Sequence, residues 1–292
     1  MELNGKTAVV TGGGNGIGKA LCLALAGAGV NVAVADIEEA AAKSVAEKAA
    51  ERGIKSIGVA ADVADESNVA ALADAAWNAF GDVDILINNA GVMPPAMPLA
   101  ATNAADFNWV FAVNVGGVMN GIRTFVPRFA ASGRECVVAN TASEHSFGVP
   151  HIGGGLYTAT KHAVLGISDV LRQEAPENLK VCVFCPGIVD STIWRASERR
   201  QESYGGASPG EEAAGELVRQ IGMPADEVAA KAIEGIRAER FLIVTHPHAA
   251  SIAEARWAEI ERAFAEQAPR YEGDEKYDLG PIIRQLAMQS AP

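Results

Sequence analysis

No run of lysines and arginines occurs anywhere in the sequence, and acids outnumber bases 36 to 24. The formal net charge is −12 and the pI is near 4.9. A nucleic-acid partner is not expected, because its phosphates would be repelled. No uninterrupted apolar stretch is long enough to cross a bilayer, so no membrane span is expected. The amino-terminal stretch MELNGKTAVV carries no basic region followed by a long apolar one. The expectation is therefore no signal peptide and a cytoplasmic protein. Cysteine is scarce, at positions 22, 136, 182 and 185. Cys182 and Cys185 form a C-x-x-C, but they lie inside the apolar run VCVFCP, where strand residues three apart face opposite sides. No second pair accompanies them, so buried reduced thiols are expected and no metal site is. Internal repeats and low-complexity tracts are also missing.

Hydrophobic residues make up 49% of the 292, ample for a large core. They fall into an alternation. Short β-branched runs read as strands at 7–11, 30–35, 56–60, 84–88, 135–140, 180–185 and 241–245. Periodic, Ala-rich segments read as helices at 17–28, 38–52, 67–80, 103–130, 157–174 and 224–239. Repeated strand–helix alternation with right-handed crossovers predicts an α/β fold: a doubly wound, mostly parallel seven-stranded sheet with helices on both faces. The length suits a single domain, 1–292. Two stretches interrupt the rhythm. Residues 190–223 combine polar residues, Gly-Gly and Pro, and read as a lid over a ligand site. Residues 246–292 read as a C-terminal extension that begins with an amphipathic helix at 246–267 and ends in a tail that either packs on a neighbouring subunit or frays.

TGGGNGIG, residues 11–18, stands between the first strand and the first helix. That junction aims backbone N–H groups and the positive end of the helix dipole into one small space. Glycine there lets the backbone turn sharply and come close to an anion, so the string is predicted to cradle a dinucleotide pyrophosphate. Asp36 ends the second strand, eighteen residues past Gly18. A carboxylate there accepts hydrogen bonds from both hydroxyls of an adenosine ribose and repels a 2′-phosphate. No base follows it closely, so NAD is expected over NADP. Asp62 ends the third strand where an adenine would lie, with Val63 beside it. The small-residue turn Asn88-Asn89-Ala90-Gly91 lets a cofactor lie close, and Ser191 or Thr192 is available for a carboxamide.

The chemistry is expected farther along. In YTATK, Tyr157 and Lys161 share one helical face at i and i+4. A cation beside a phenol favours the phenolate, which then exchanges a proton with an alcohol or ketone oxygen. Ser143, fourteen residues before Tyr157, is placed to hold that oxygen. Glu144 beside it is a weaker candidate for the pocket. For His145 and His151 a surface position is the weightier reading. Met93, Met97, Phe147, Leu156 and Trp194 are candidate apolar walls, suggesting a hydrophobic or aromatic secondary alcohol.

Together these motifs resemble the short-chain dehydrogenase/reductase family in its compact branch, over roughly residues 5–250. Gly12, Gly16 and Gly18 match its glycine signature, and Pro186-Gly187 its motif beside the nicotinamide. Asn114, Ser143, Tyr157 and Lys161 stand where its catalytic tetrad stands. The resemblance implies hydride transfer between NAD(H) and a secondary alcohol or ketone, with Tyr157 as acid/base. It implies that Lys161 lowers the phenol pKa and holds the ribose, and that Asn114 extends a proton path through a water. It further implies cofactor contacts from Asn15, Ile17 and Val189, and a homotetramer or homodimer. The Ser-to-Tyr spacing is one residue longer than is commonest, with HIGGG at 151–155 inside it. With the C-terminal stretch, that spacing resembles a subgroup oxidising benzylic alcohols. The alternatives carried are an NAD-binding regulator without turnover and an NAD-dependent epimerase.

Overall fold

The computed structural model describes residues 1–280, 282 and 283. The first six strands are β1 (Thr7–Thr11), β2 (Asn31–Asp36), β3 (Ser56–Ala60), β4 (Ile85–Asn88), β5 (Cys136–Thr141) and β6 (Leu179–Cys185). Between the first of them lie α1 (Gly16–Gly27), α2 (Glu39–Ala50) and α3 (Glu66–Phe80). A long helical stretch, α4 (Ala104–Phe111) and α5 (Gly117–Ser132), separates β4 from β5, and α6 (Gly155–Glu174) separates β5 from β6. The paired two-residue strands β7 (Val189–Asp190) and β8 (Met223–Pro224) flank α7 (Glu212–Ile221). Then come α8 (Ala225–Arg237), β9 (Leu242–Val244) and α9 (Ala249–Gln267).

The main sheet is seven-stranded in the order β3-β2-β1-β4-β5-β6-β9, and every pair in it is parallel. This is the fold class the alternation predicts. Its central strands are covered on both faces, which is why β1 and β4 read as continuous apolar runs rather than alternating ones. Val10, Val34 and Ile87 face one core with α1 and α8, while Val9, Leu86 and Val138 face another with α3 and α5. Each such side chain contributes about 1.5–3 kcal/mol on full burial. The four cysteines are buried and free, and Cys182 and Cys185 point into different cores.

Strand order reverses between β1 and β4, whose connections leave toward opposite sides. A crevice therefore opens beyond their carboxyl ends. Two polar devices brace the sheet, one at the amino ends of β1 and β4 and one toward the carboxyl ends of β4 and β5. Asp84, almost fully buried, accepts from the Thr7 backbone N–H at 2.9 Å and pairs with Lys6 and Arg134. Asn88 donates to Asn140 at 2.9 Å, and Asn140 to Ser168 at 3.0 Å, tying β4 and β5 to α6.

Two expectations change in detail. The single helix expected over 103–130 is broken at Ala112–Gly116 by a π-turn that carries Asn114. Such wide turns are frequent at functional sites. Residues 190–223, expected to be irregular, contain 3₁₀ turns at Ile193–Arg199 and Glu202–Tyr204 as well as α7. The β7–β8 pairing closes this segment at its base.

Contacts divide the chain into two compact units, Met1–Ile252 and Ala253–Pro292. In the second, Arg270 Nε pairs with Asp274 at 2.8 Å, and Trp257, Phe264 and Tyr277 are exposed. Positions 281 and 284–292 of the expected C-terminal extension lie outside the described residues. Among the described residues, no helix is long and apolar enough to cross a membrane.

Candidate active site

A cavity of about 810 Å³ lies within the first unit at the carboxyl ends of the strands. One part of it is built from the glycine turn. Thr11 Oγ1 accepts from the backbone N–H groups of Asn89 and Ala90 at 3.0 and 3.1 Å, and Asn89 Nδ2 donates to Thr11 O at 3.0 Å. The β1 and β4 turns are thereby locked together. Gly12 has φ +62°, and a Cβ there would sit 2.8 Å from Ala90 Cα; a Cβ on Gly18 would strike the Gly12 carbonyl. Only glycine fits both positions, which is the local reason for the motif.

Asp36 is 7% exposed and lines the cavity. Its Oδ2 accepts from Gly14 N at 2.8 Å and its Oδ1 from Glu38 N at 3.1 Å. Two of its roughly four lone-pair sites remain for a ligand. Asp62 Oδ1 caps Ala64 N at 2.9 Å. Gly12, Asn15, Gly16, Ile17 and Gly18 line the same wall, as do Asp62, Val63, Asn89, Ala90 and Gly91. Pro186, Gly187, Val189, Ser191 and Thr192 line the cavity as well, with Ser191 packed against Gly16. The glycine cradle, the Asp36 carboxylate and Thr141 Oγ1, a buried hydroxyl with no hydrogen-bond partner among the described residues, together fit a dinucleotide.

Ser143, Tyr157 and Lys161 meet on the cavity wall where β5 and α6 converge. Lys161 is 3% exposed; its Nζ donates to Thr141 O at 2.8 Å and lies 5.4 Å from the Tyr157 ring centre. Burial pulls its ammonium down to about 8. Burial pushes the Tyr157 phenol up to about 12, against a hydrogen bond with Ser143 that lowers it, while the Glu144 charge raises it. Desolvation thus outweighs the Ser143 hydrogen bond, and within the chain alone the phenol holds its proton. Ser143 Oγ also lies 3.3 Å from Pro186 O, so its single proton serves one acceptor at a time. Ser146 Oγ donates to Lys161 O at 2.7 Å, so it is spent on the helix that carries Lys161.

Asn114 stands behind this wall, not on it. It is 1% exposed, accepts from Val92 N at 2.7 Å, and donates to Val92 O at 2.9 Å and Thr160 Oγ1 at 3.0 Å. It holds the loop after Gly91 to the π-turn.

The histidines correct the sequence reading. His145 is 6% exposed, not superficial; the 3₁₀ turn Glu144–Ser146 folds it inward. Its Nδ1 meets Thr158 Oγ1 at 2.7 Å and its ring stands edge-on to Tyr157 at 5.1 Å. Burial, and then the like charges of His151, Lys161 and His162, lower it to about 4. His151 is exposed yet also lines the cavity.

Of the expected apolar walls, Met93 lines the cavity. Leu156 belongs to the core, and Phe147 packs with Val118 and Val164. Met97 bridges to Gly154, and the Trp194 ring lies over Gly215. Pro94, Ala96, Leu217, Val218 and Ile252 form the wall instead.

Two further features escaped the sequence. His246 accepts from Gly187 N at 3.0 Å through Nδ1, and its Nε2 meets Ile188 O at 2.9 Å, pinning the turn after β6. The motif HPH just past a strand was its only signal. Residues 199–201 reach back across the cavity mouth. Arg199 pairs with Glu38 at 3.1 Å, Arg200 with Asp106 at 2.6 Å, and Gln201 Nε2 donates to Asp62 at 2.7 Å.

Residues 6–202 match the short chain dehydrogenase family. A 1-deoxy-11-beta-hydroxypentalenate dehydrogenase of Streptomyces avermitilis is 34% identical over 91% of this chain and 94% of its own. A C alpha-dehydrogenase of Sphingobium sp. is 30% identical over 84% of this chain and 82% of its own. The crystal structure of a short chain dehydrogenase/reductase from Burkholderia phymatum in complex with NAD superposes with a TM-score of 0.84. It is 33% identical, covering 93% of this chain and 99% of that one.

Proposed function

The chain belongs to the short-chain dehydrogenase family, and from that premise we propose that it is an NAD-dependent oxidoreductase interconverting a hydrophobic, aromatic-tolerant secondary alcohol and its ketone. The observation that carries this reading is the convergence of Ser143, Tyr157 and Lys161 on the wall of the cavity that the glycine turn and Asp36 also line. The nicotinamide, when bound, accepts or returns the hydride. Everything else falls to the chain. Ser143 Oγ orients the substrate oxygen. Tyr157 gives its proton to a ketone oxygen, or takes one from a carbinol. Buried Lys161 supplies the positive charge that favours the phenolate and hands the proton onward. Asn114 acts as a positioning residue, keeping the Gly91 loop and Lys161 in register, and its remaining Oδ1 lone pair is the place for a relay water. The wall of Met93, Pro94, Leu217, Val218 and Ile252 favours an apolar substituent on the carbinol. Residues 190–223 serve as the cover of the site, and residues 1–252 contain every group given a role.

The test is a panel of aryl and alkyl carbinols with either dinucleotide, following ketone and reduced cofactor together. Equal amounts of ketone and NADH are expected. Isomerised product with no net NADH, or cofactor binding without turnover on any carbinol, would overturn the reading.

Cofactor choice is a separate expected outcome. Asp36→Ala removes the charge that repels a 2′-phosphate and should shift the ratio of kcat/KM for NAD over NADP toward NADP by roughly tenfold or more, about 1.4 kcal/mol. The Ala also frees the Gly14 N–H that the carboxylate binds, so KM for NAD should rise. A wild type that already prefers NADP sinks the electrostatic argument.

A further inference from the structure

The sequence puts no lysine or arginine close after Asp36, and the expectation of NAD over NADP leans on that absence. The fold supplies a cation from elsewhere. Arg199 belongs to the cover, yet its Nη1 donates to Glu38 Oε2 at 3.1 Å across 161 residues of sequence. Glu38 is itself fixed to the ribose carboxylate, because its backbone N–H donates to Asp36 Oδ1 at 3.1 Å. Arg199 therefore reaches the carboxyl end of β2. Arg199 and Asp36 both line the cavity. Among the described residues that line it, the one other lysine or arginine is Lys161, which belongs to the Tyr157 wall. The pair is open to a ligand, with the Arg199 side chain 26% exposed and that of Glu38 48%. Nη2 also reaches Thr192 O, at 3.5 Å. A guanidinium carries five N–H donors, so these two contacts leave others available.

We propose that Arg199 is a reader of a 2′-phosphate that Glu38 keeps neutralised, so that discrimination against NADP is shared between Asp36 and the Glu38–Arg199 pair. This rests on the dinucleotide reading of the cavity. A guanidinium binds phosphate oxygens by two parallel hydrogen bonds, stronger than those between neutral groups. In the wild type a 2′-phosphate meets two obstacles. The Asp36 charge repels it, and the cation at that end of the cavity is already held by a carboxylate. An exposed pair of this kind holds weakly, by up to about fivefold in a binding constant. Removing Glu38 returns that factor to the phosphate. Removing Arg199 instead leaves Glu38 uncompensated, and its charge then adds to the repulsion from Asp36. The two substitutions thus act in opposite directions. A salt bridge that merely braced the cover would respond alike to the loss of either partner.

The test is fluorescence titration with NADH and with NADPH at low ionic strength, where charge effects are largest. Both dissociation constants are measured for the wild type, Glu38→Gln, Arg199→Gln and the double variant. Glu38→Gln is expected to tighten NADPH about fivefold relative to NADH, through NADPH and not through a loss of NADH. Arg199→Gln should weaken NADPH relative to NADH. The double variant should return the Glu38→Gln gain to within about twofold of the wild-type ratio. A gain that survives in the double variant would assign the effect to the Glu38 charge alone and overturn the role of Arg199. Single variants that move the ratio in the same direction, or a Glu38→Gln shift below about twofold, overturn the proposal as well. In those cases a wild type that still favours NADH keeps the NAD reading intact. A wild type that favours NADPH overturns that reading and the neutralisation by Glu38 together, and one that binds neither dinucleotide overturns the dinucleotide site itself.

Discussion

Tyr157→Phe is expected to lower kcat for carbinol oxidation by roughly 10²–10⁴-fold, the usual contribution of a positioned acid/base. That corresponds to about 3–5 kcal/mol of transition-state stabilisation. The ring itself stays, so the edge contact with His145 is kept and the loss isolates the hydroxyl. KM for the alcohol should change far less, because Ser143 still holds the oxygen. The pH dependence gives the same group a second signature. Burial keeps the phenol near 12, so its basic form is scarce at neutral pH and grows about tenfold per pH unit. Wild-type oxidation should therefore climb between about pH 6 and 8, where Lys161 still carries charge, and the climb should vanish in the Phe variant. Steady-state rates of both proteins across that range decide it. A Phe variant within a few-fold of wild type would remove Tyr157 from the mechanism.

The second large effect concerns stability. His145 titrates near 6.5 when unfolded and about 4 when folded. Between those values the unfolded chain binds the extra proton, so the stability that neutral His145 provides is complete above pH 6.5 and is lost as the pH falls through 4. The difference amounts to about 3 kcal/mol. Urea unfolding of wild type and His145→Asn, at pH 7 and near pH 4, measures it. The wild type should lose about 3 kcal/mol more than the variant across that interval. Parallel loss in both would show that His145 does not carry the acid sensitivity.

What was legible in the sequence follows from what is local. A buried parallel strand must be a short apolar run, so TAVVT and ILIN mark themselves. A backbone that turns this tightly against its neighbours must be glycine, so Gly12 and Gly18 mark themselves as well. Tyr157 and Lys161 were readable because helical spacing alone puts them on one face. The groups that were missed depend on long-range packing. His145 is buried by a 3₁₀ turn whose inward direction is set by Thr158, thirteen residues on. His246 acts on Gly187, fifty-nine residues away. Trp194 looked like a pocket wall but is drawn off by the bare backbone of Gly215. Asn114 was recognised by motif, yet only the π-turn shows that it works from behind the wall.

The three contacts made by residues 199–201 are unequal, and the inequality sets an order of events. Arg200 and Asp106 are nearly buried and the arginine also lies over Trp109, 5.0 Å from the ring centre. Breaking that pair strands a desolvated charge, which costs about 3–5 kcal/mol. Arg199 and Glu38 are partly in solvent, and such pairs hold with at most about 1 kcal/mol, less as salt screens them. On the proposed reading of this segment as the cover of a dinucleotide site, the Arg199 contact is expected to open before the Arg200 one, and the residence time of bound NADH is expected to shorten as ionic strength rises.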